Sequence, residues 1–376
     1  MTDFRACGRR TPAVLRSTLT AAFTVAALAA AQHGALASNP VEKSKAAAEP
    51  ALDRSAGGEV NIYSYREPGL IKPLLDAFTA KTGIRTNVIF AKDGLTERVK
   101  AEGPNSPADV LLTVDIGRLT EAKEQGITQK ISSGEVDEEI PAAYRDAEGQ
   151  WVGLSQRARV VFASRERVKD DTITYADLAD PKWKGRICSR SGQHTYNIGL
   201  LASIIAHDGP EKAEKWAAGV RDNLARKPAG GDRDQVKSIY AGECDIAIGN
   251  TYYMAAMETS DKPEQQEWAK SVKLLFPDAA GRGTHVNISG VILAKNAPHK
   301  DAALKLIDFL ASHEGQQIYA EQVNEYPLDP DVPVSDRVKA WGTLKPDTLP
   351  LTEVAKYRKK ASEIMDKVGF DQGPGA

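Results

Sequence analysis

Two adjacent tyrosines, Tyr252 and Tyr253, stand where an apolar strand pattern ends and a helical pattern begins. With Asn250 as the N-cap and Thr251 as the first helical residue, both rings fall in the first turn and can converge on one point in front of the helix. A phenol, with an ordinary pKa of about 10, binds a metal well only when a strong Lewis acid such as Fe³⁺ lowers that pKa. The pair therefore predicts either a phenolate site for a hard cation or the ordinary packing of one ring in the core and one at the surface.

Two further tyrosines stand at comparable positions. Tyr196 lies in the polar loop 190–197, between a strand pattern and a helical pattern, and Tyr65 ends the first strand pattern of the folded part. Four tyrosines at loop or helix-start positions exceed what packing needs, so the sequence favours a shared phenolate site. For Tyr65, metal ligation and simple lining of a cleft are both open.

Alternating strand and helix patterns position these tyrosines. Three strand patterns alternate with two helical patterns, in the order 60–64, 73–83, 84–90, 94–100 and 108–114. This order predicts a parallel sheet covered by helices, in which ligands sit beyond the carboxyl ends of the strands. The same alternation restarts after Trp151.

Two long extended runs, 157–164 and 285–295, predict strands that cross between two such units. We therefore expect an α/β protein with two lobes, each a sheet flanked by helices, joined by a two-strand hinge beside a cleft. The predicted boundaries are 59–156 and 287–330 for the first lobe, and 157–286 and 331–376 for the second lobe.

The N-terminus has the pattern of a secretory signal. Four arginines precede an apolar run at 18–31, and a small-residue motif predicts cleavage after Ala37, which gives a signal peptide at 1–37. The run is shorter than the roughly 20 residues that a membrane span needs, so we expect a periplasmic protein without stable membrane insertion. A pair of adjacent arginines leaves the twin-arginine and the general secretory routes both open. Small and polar residues at 38–58 predict a flexible linker.

The composition argues against several classes of function. The net charge is -2, from 49 basic and 51 acidic residues, and the folded part has no basic run, so a nucleic-acid partner is not expected. The chain has no nucleophile elbow, zinc-protease motif, P-loop or dinucleotide-binding motif, so no enzyme is predicted. We expect a monomer.

Removal of the signal leaves two cysteines, Cys188 and Cys244, each in a short strand-like run. An oxidising compartment permits an even number of cysteines to pair. A disulfide between neighbouring strands is therefore expected, and two buried free thiols are the alternative.

Five stretches, specific only when taken together, link the chain to a known family: 63–66 (YSYR), 106–119 (SPADVLLTVDIGRL), 183–187 (WKGRI), 249–253 (GNTYY) and 281–290 (GRGTHVNISG). Over about residues 60–370 the chain resembles the periplasmic ferric-iron-binding proteins of ABC importers, of the ferric-binding and cyanobacterial iron-uptake type. The resemblance implies the two-lobed fold of periplasmic solute-binding proteins. It also implies that Tyr196, Tyr252 and Tyr253 bind Fe³⁺ and that the partner is an ABC transporter permease. Whether Fe²⁺ also binds is open.

The first lobe departs from that family. Glu67 and Pro68 stand where many relatives carry a His-Tyr or a Gln-His pair. Tyr65 is the expected substitute ligand and Glu67 is the second choice, while water or a synergistic carbonate or bicarbonate fills the remaining positions. Arg66 and Arg157 are the candidates to hold such an anion, because a planar guanidinium binds an oxyanion through two bonds. Each arginine is as readily an ion-paired structural residue.

A solute-binding protein for another small solute, namely an oxyanion, thiamine or a polyamine, is the alternative function. It predicts arginine clamps or aromatic stacking in the cleft. It leaves the clustered phenols without a role.

Overall fold

Parallel strands joined by helices begin the fold, as the alternating patterns predict. A computed structural model describes residues 58–375; the predicted signal peptide and the predicted linker, apart from Gly58, lie outside these residues. The strands are β1 (Glu59–Ser64), β2 (Arg85–Phe90), β3 (Val110–Thr113), β4 (Thr128–Gln129), β5 (Val152–Ser164), β6 (Ile187–Cys188), β7 (Ile246–Asn250), β8 (Val272–Leu275), β9 (Val286–Ala294) and β10 (Tyr326–Pro327).

Helices cover both faces of these strands. They are α1 (Pro68–Thr82), α2 (Leu95–Glu102), α3 (Ile116–Glu124), α4 (Gly134–Glu139), α5 (Thr195–Asp208), α6 (Pro210–Asp222), α7 (Asp232–Tyr240), α8 (Tyr252–Glu258), α9 (Pro263–Ser271), α10 (Lys300–Ala311), α11 (His313–Ile318), α12 (Asp336–Ala340), α13 (Leu351–Lys356) and α14 (Arg358–Lys367). Among residues 58–375, no helix combines the length and the apolar character that a membrane crossing requires.

The first lobe is built on β1, which lies between β2 and β3 and is parallel to both. β3 then pairs antiparallel with β9, and β9 pairs antiparallel with β5. The sheet of the second lobe contains β7 between β5 and β6, with β8 on β5. The strand order is β2-β1-β3-β9-β5-β7-β6.

β5 is the strand that passes from one sheet to the other. Its residues 152–158 pair with β9, and its residues 159–163 pair with β7. β9 begins beside this crossing point of β5, where the backbone N–H of Arg159 donates to the carbonyl of His285 at 2.9 Å. The predicted two-strand connection is therefore present, and the residue boundaries of the lobes stay a prediction.

Each lobe has its own apolar core. In the first lobe, Phe78 of α1 and Leu310 of α10 pack against the strands. In the second lobe, Leu201 of α5 and Trp216 of α6 do so. The C-terminal helices are α13 and α14, and Leu351 of α13 packs beside α3 of the first lobe.

The predicted disulfide joins Cys188 of β6 to Cys244, with the two Cα atoms 5.8 Å apart. The expectation of a strand at Cys244 is wrong by two residues, because β7 begins at Ile246. The bridge nevertheless ties together the two parallel strands that lead into α5 and α8.

Candidate metal centre

The three tyrosines of the second lobe come from two helices that begin at one edge of its sheet. β6 and β7 are parallel neighbours, so α5 and α8, which follow them in the chain, start on the same side. Tyr252 and Tyr253 are the first two residues of α8, and Tyr196 is the second residue of α5. The topology of the sheet therefore brings together residues that are far apart in sequence.

These three rings form one buried cluster. The phenol oxygens of Tyr196 and Tyr252 lie 2.9 Å apart, and the ring centroids of Tyr252 and Tyr253 lie 4.3 Å apart. The three residues are only 9%, 4% and 7% exposed, and they line a cleft of about 840 Å³. Burial, and then the neighbouring Tyr196, raise the pKa of Tyr252 and of Tyr253 above the ordinary value. Both phenols are therefore protonated until a cation displaces the proton.

Asn250 does not cap α8, contrary to the prediction. The N-cap is Thr251, and no side chain makes a capping bond. The side-chain oxygen of Asn250 instead accepts from Nη1 of Arg159 at 3.0 Å, and its backbone N–H donates to Asp232 at 2.8 Å. These bonds hold Asn250 at the end of β7, so its amide cannot also serve the helix.

A buried charge network lies beneath the tyrosines. Asp232 accepts from Nη1 of Arg159 at 2.7 Å and from Nη1 of Arg190 at 3.1 Å. Burial by itself raises the pKa of Asp232, but the two guanidiniums outweigh it and hold that pKa below its ordinary value. Both guanidiniums also lie over the Tyr196 ring, at 5.6 and 5.1 Å from its centroid.

Arg66 and Arg157 reach the cleft from the level of the hinge and differ in their partners. Arg66 forms a buried ion pair with Glu325 at 3.0 Å and donates to Ser289 at 2.6 Å. Arg157 is 2% exposed, and its single bond is a long one of 3.4 Å to Ser289. Within residues 58–375, no carboxylate pairs with Arg157, and its Nη2 has no hydrogen-bond partner. In the part of the chain that the structure describes, Arg157 is therefore a buried cation that forms no direct ion pair, and it lies 5.8 Å from the centroid of the Tyr196 ring.

Tyr65 does not join the three phenols. Its oxygen accepts the backbone N–H of Thr96 at 2.8 Å and lies 3.1 Å from the Thr96 hydroxyl, at the start of α2. The guanidinium of Arg118 covers its ring at 3.7 Å. The expectation that Tyr65 supplies a fourth phenol oxygen is not met in this arrangement, because that oxygen serves the first lobe. Tyr65 lines the wall of the cleft.

Glu67 lies at the mouth of the cleft. It stands immediately before α1, and its half-exposed carboxylate lies 3.5 Å from Arg233. The guanidinium of Arg233 in turn lies 4.9 Å from the centroid of the Tyr253 ring. Glu67 therefore links the first lobe to the rim of the tyrosine cluster and contacts no phenol oxygen there.

His194 supports Tyr196 in a way that the sequence reasoning missed. Its Nδ1 accepts the backbone N–H of Tyr196 at 3.2 Å, and the two rings meet edge to face at 4.5 Å. Burial, and then the charge of Arg190, lower the pKa of His194 to about 3, so the ring is neutral and free to accept. The sequence signal that could have revealed this cap is a histidine two residues before a tyrosine at a helix start.

The chain is similar to known proteins over most of its length. Residues 105–346 match the family described as bacterial extracellular solute-binding protein. Iron uptake protein A1 of Synechocystis sp. is 43% identical over 314 residues, which cover 83% of this chain and 87% of that protein. The structure of apo ferric ion-binding protein A from Pasteurella haemolytica has a TM-score of 0.80 at 49% identity, covering 83% of this chain and 98% of that chain. A Trichodesmium structure in complex with iron and citrate has a TM-score of 0.77 at 45% identity, covering 83% of this chain and 100% of that chain.

Proposed function

Because the chain belongs to the bacterial extracellular solute-binding protein family, we propose that it is the periplasmic Fe³⁺-binding component of an ABC iron importer, and a carrier, not an enzyme. The observation that supports this most is the cluster of three phenols, Tyr196, Tyr252 and Tyr253, at the cleft. Relatives named for iron uptake and for ferric binding, and a similar structure that holds iron, support the same cargo.

The chemistry of the cluster suits a trivalent ion. Three phenolates carry three negative charges, which balance those of Fe³⁺, and all three donors are hard oxygen atoms. Since burial raises the pKa of Tyr252 and Tyr253, a weakly polarising cation would not displace their protons. The helix N-termini of α5 and α8 add positive potential in front of the rings.

Arg157 is the residue that we assign to a synergistic anion such as carbonate or bicarbonate. Its buried guanidinium forms no direct ion pair among the described residues and lines the same cleft as the tyrosines. An oxyanion bound there would satisfy the unpaired Nη2 and supply the iron with further oxygen ligands. Arg66 has a secondary part in this proposal, because Glu325 already neutralises it.

Closure of the two lobes completes the proposed cycle. With Tyr65 held by Thr96, we propose that the first lobe contributes no phenolate and that the anion or water fills those positions. The contact between Glu67 and Arg233 then helps hold the cleft shut. An ABC permease would recognise the closed, iron-loaded monomer and release the ion by reopening it.

A titration of iron-free protein with Fe³⁺, supplied as a weak chelate, tests the proposal. A visible phenolate-to-iron charge-transfer band should appear at one equivalent, and Phe substitution of Tyr196, Tyr252 or Tyr253 should shift or weaken it. Tyr240→Phe is the matched control, because Tyr240 is an exposed tyrosine of the same lobe. No band in the wild type, or a band that none of the three substitutions changes, would overturn the proposal.

The unpaired Arg157 also favours a second candidate, an importer subunit for an oxyanion. In that case calorimetry should detect phosphate or sulfate binding without iron, and the Tyr252→Phe variant should bind the anion as the wild type does. Binding of the anion only together with iron would exclude this candidate.

A further inference from the structure

A second group of metal-binding side chains lies in the first lobe, outside the cleft. Glu139 ends α4, His313 begins α11, and Asp329 follows β10. One donor atom from each of these residues lies within 4.8 Å of the other two. We propose that these three side chains bind a divalent transition-metal cation, for which Zn²⁺ is the probe.

Asp329 is the fixed member of the group. It is 2% exposed. Its Oδ1 accepts the backbone N–H of Asp331 at 2.8 Å, which directs Oδ2 toward the imidazole of His313, where the distance to Nδ1 is also 2.8 Å. One carboxylate oxygen is therefore held in place by the backbone, and the other faces the imidazole of His313, so a cation would bind between these two side chains.

Gln316 holds the segment that carries Asp329 against α11. Its side-chain oxygen accepts the backbone N–H of Leu328 at 2.7 Å and that of Asp329 at 3.3 Å. Its side-chain N–H₂ donates to the carbonyl of Leu154 at 2.8 Å. These buried bonds orient the site from behind, as the supporting contacts of metal sites commonly do.

The charge of the group calls for a cation. Two carboxylates, Glu139 and Asp329, converge with one imidazole, and among residues 58–375 neither carboxylate forms an ion pair with a lysine or an arginine. Two facing carboxylates need either a shared proton or a cation between them. A divalent ion balances both charges and takes the nitrogen of His313 as its third ligand.

The donor set selects a different metal from that of the cleft. One imidazole nitrogen and two carboxylate oxygens suit Zn²⁺, Mn²⁺ or Fe²⁺, with open positions for water. Bonds of about 2.0–2.2 Å would place neighbouring donors roughly 3–3.5 Å apart. The separations that now reach up to 4.8 Å must therefore shorten, and the 2.8 Å contact between His313 and Asp329 must widen slightly. Glu139 is partly exposed and His313 is exposed, so both side chains have room to make that movement.

Calorimetric titration of the full mature protein with Zn²⁺ at pH 7.5, in a buffer that does not chelate metals, tests the site. The wild type should bind one Zn²⁺ that Glu139→Gln and His313→Gln each weaken by at least about tenfold. Glu321→Gln is the control, because Glu321 is an exposed glutamate of the same lobe. A rise in the thermal midpoint with Zn²⁺, present in the wild type and absent in both variants, gives a second readout.

The outcome is independent of the iron proposal. The variants should keep the wild-type far-UV circular dichroism and the response of the wild type to Fe³⁺, because none of the three residues lines the cleft. Equal Zn²⁺ affinity in the wild type and in both variants would overturn the site. So would the absence of Zn²⁺ binding, which would leave only the hydrogen bond between His313 and Asp329.

Discussion

The hydroxyl of Thr195 donates a 2.5 Å hydrogen bond to Oδ2 of Asp115, and this bond joins the two lobes beside the metal centre. Asp115 caps α3 in the first lobe, where its Oδ1 accepts the backbone N–H of Arg118 at 3.1 Å, and it is completely buried. Thr195 is the first residue of α5, directly before Tyr196. Arg358, from the C-terminal helices, binds the same carboxylate. A contact between the lobes is thus made by the residue directly before a proposed iron ligand.

Thr195→Val should weaken iron binding without removing a ligand. A hydrogen bond to a carboxylate contributes about 1.5–3 kcal/mol, so loss of a bond that favours the closed form should lower the Fe³⁺ affinity about tenfold or more. Competition with citrate measures the change. Thr259→Val is the control, because that hydroxyl bonds only to the Ala255 carbonyl of its own helix. Equal affinity in the wild type and in Thr195→Val would show that this bond does not favour the closed form.

The difference in Fe³⁺ affinity between the wild type and Thr195→Val should stay constant between pH 8 and pH 5. Burial by itself raises the pKa of Asp115, but Arg358, the bond from Thr195 and then Arg118 outweigh it and hold that pKa below its ordinary value. A carboxylate whose pKa is lowered on folding stabilises the folded protein at any pH above its unfolded-state pKa of about 3.9. That stabilisation is lost only as the pH falls through the folded-state pKa. A difference in Fe³⁺ affinity that disappears near pH 6 would contradict the lowered pKa of Asp115.

Removal of the disulfide with Cys188→Ala and Cys244→Ala should lower the free energy of unfolding. The bridge closes a loop with a sequence separation of 56 residues, for which chain entropy predicts about 4 kcal/mol. Urea unfolding of the double variant and of the wild type measures the difference, and the wild type with reductant should match the variant. Two free thiols in the unfolded, unreduced wild type would show that the bridge does not form.

The parts of the site that the sequence predicts are those that follow from topology. Tyr252, Tyr253 and Tyr196 each follow a strand of one parallel pair, so a pattern of strands and helices suffices to bring them to one edge. The crossing strands and the paired cysteines are local patterns of the same kind. Such features depend on the order of elements and not on the direction of any one side chain.

The parts that the sequence misses depend on the direction of individual side chains. Tyr65 has the expected position at the end of β1, but its oxygen turns to Thr96, and only the packing of α2 against β1 determines that. Asn250 is a good N-cap residue by type, yet its side-chain oxygen accepts from Arg159 and its backbone N–H donates to Asp232. Polar residues far apart in sequence compete for the same hydrogen-bond partner, and no local sequence pattern indicates which of these bonds forms.

Arg157→Met should abolish the dependence of iron binding on carbonate or bicarbonate. The substitution keeps an unbranched side chain but removes the guanidinium group and its charge, so the proposed anion loses its counterion. Iron affinity should then be equal with and without added bicarbonate, whereas the wild type should bind more tightly with it. Arg85→Met, at an exposed arginine of β2, is the control. A bicarbonate effect that persists in Arg157→Met would assign the anion elsewhere.

Binding of Fe³⁺ should release at least two protons from the protein at neutral pH. Burial, and then Tyr196, raise the pKa of Tyr252 and of Tyr253, so both phenols enter the reaction protonated and must leave it as phenolates. Each released proton makes the affinity fall about tenfold per unit decrease in pH, so two protons give about a hundredfold per unit. A weakly buffered titration with a pH indicator counts the protons, and Tyr253→Phe should release one fewer than the wild type. Release of no protons would mean that iron binds without phenolate ligands, because no other route ionises these buried groups at neutral pH.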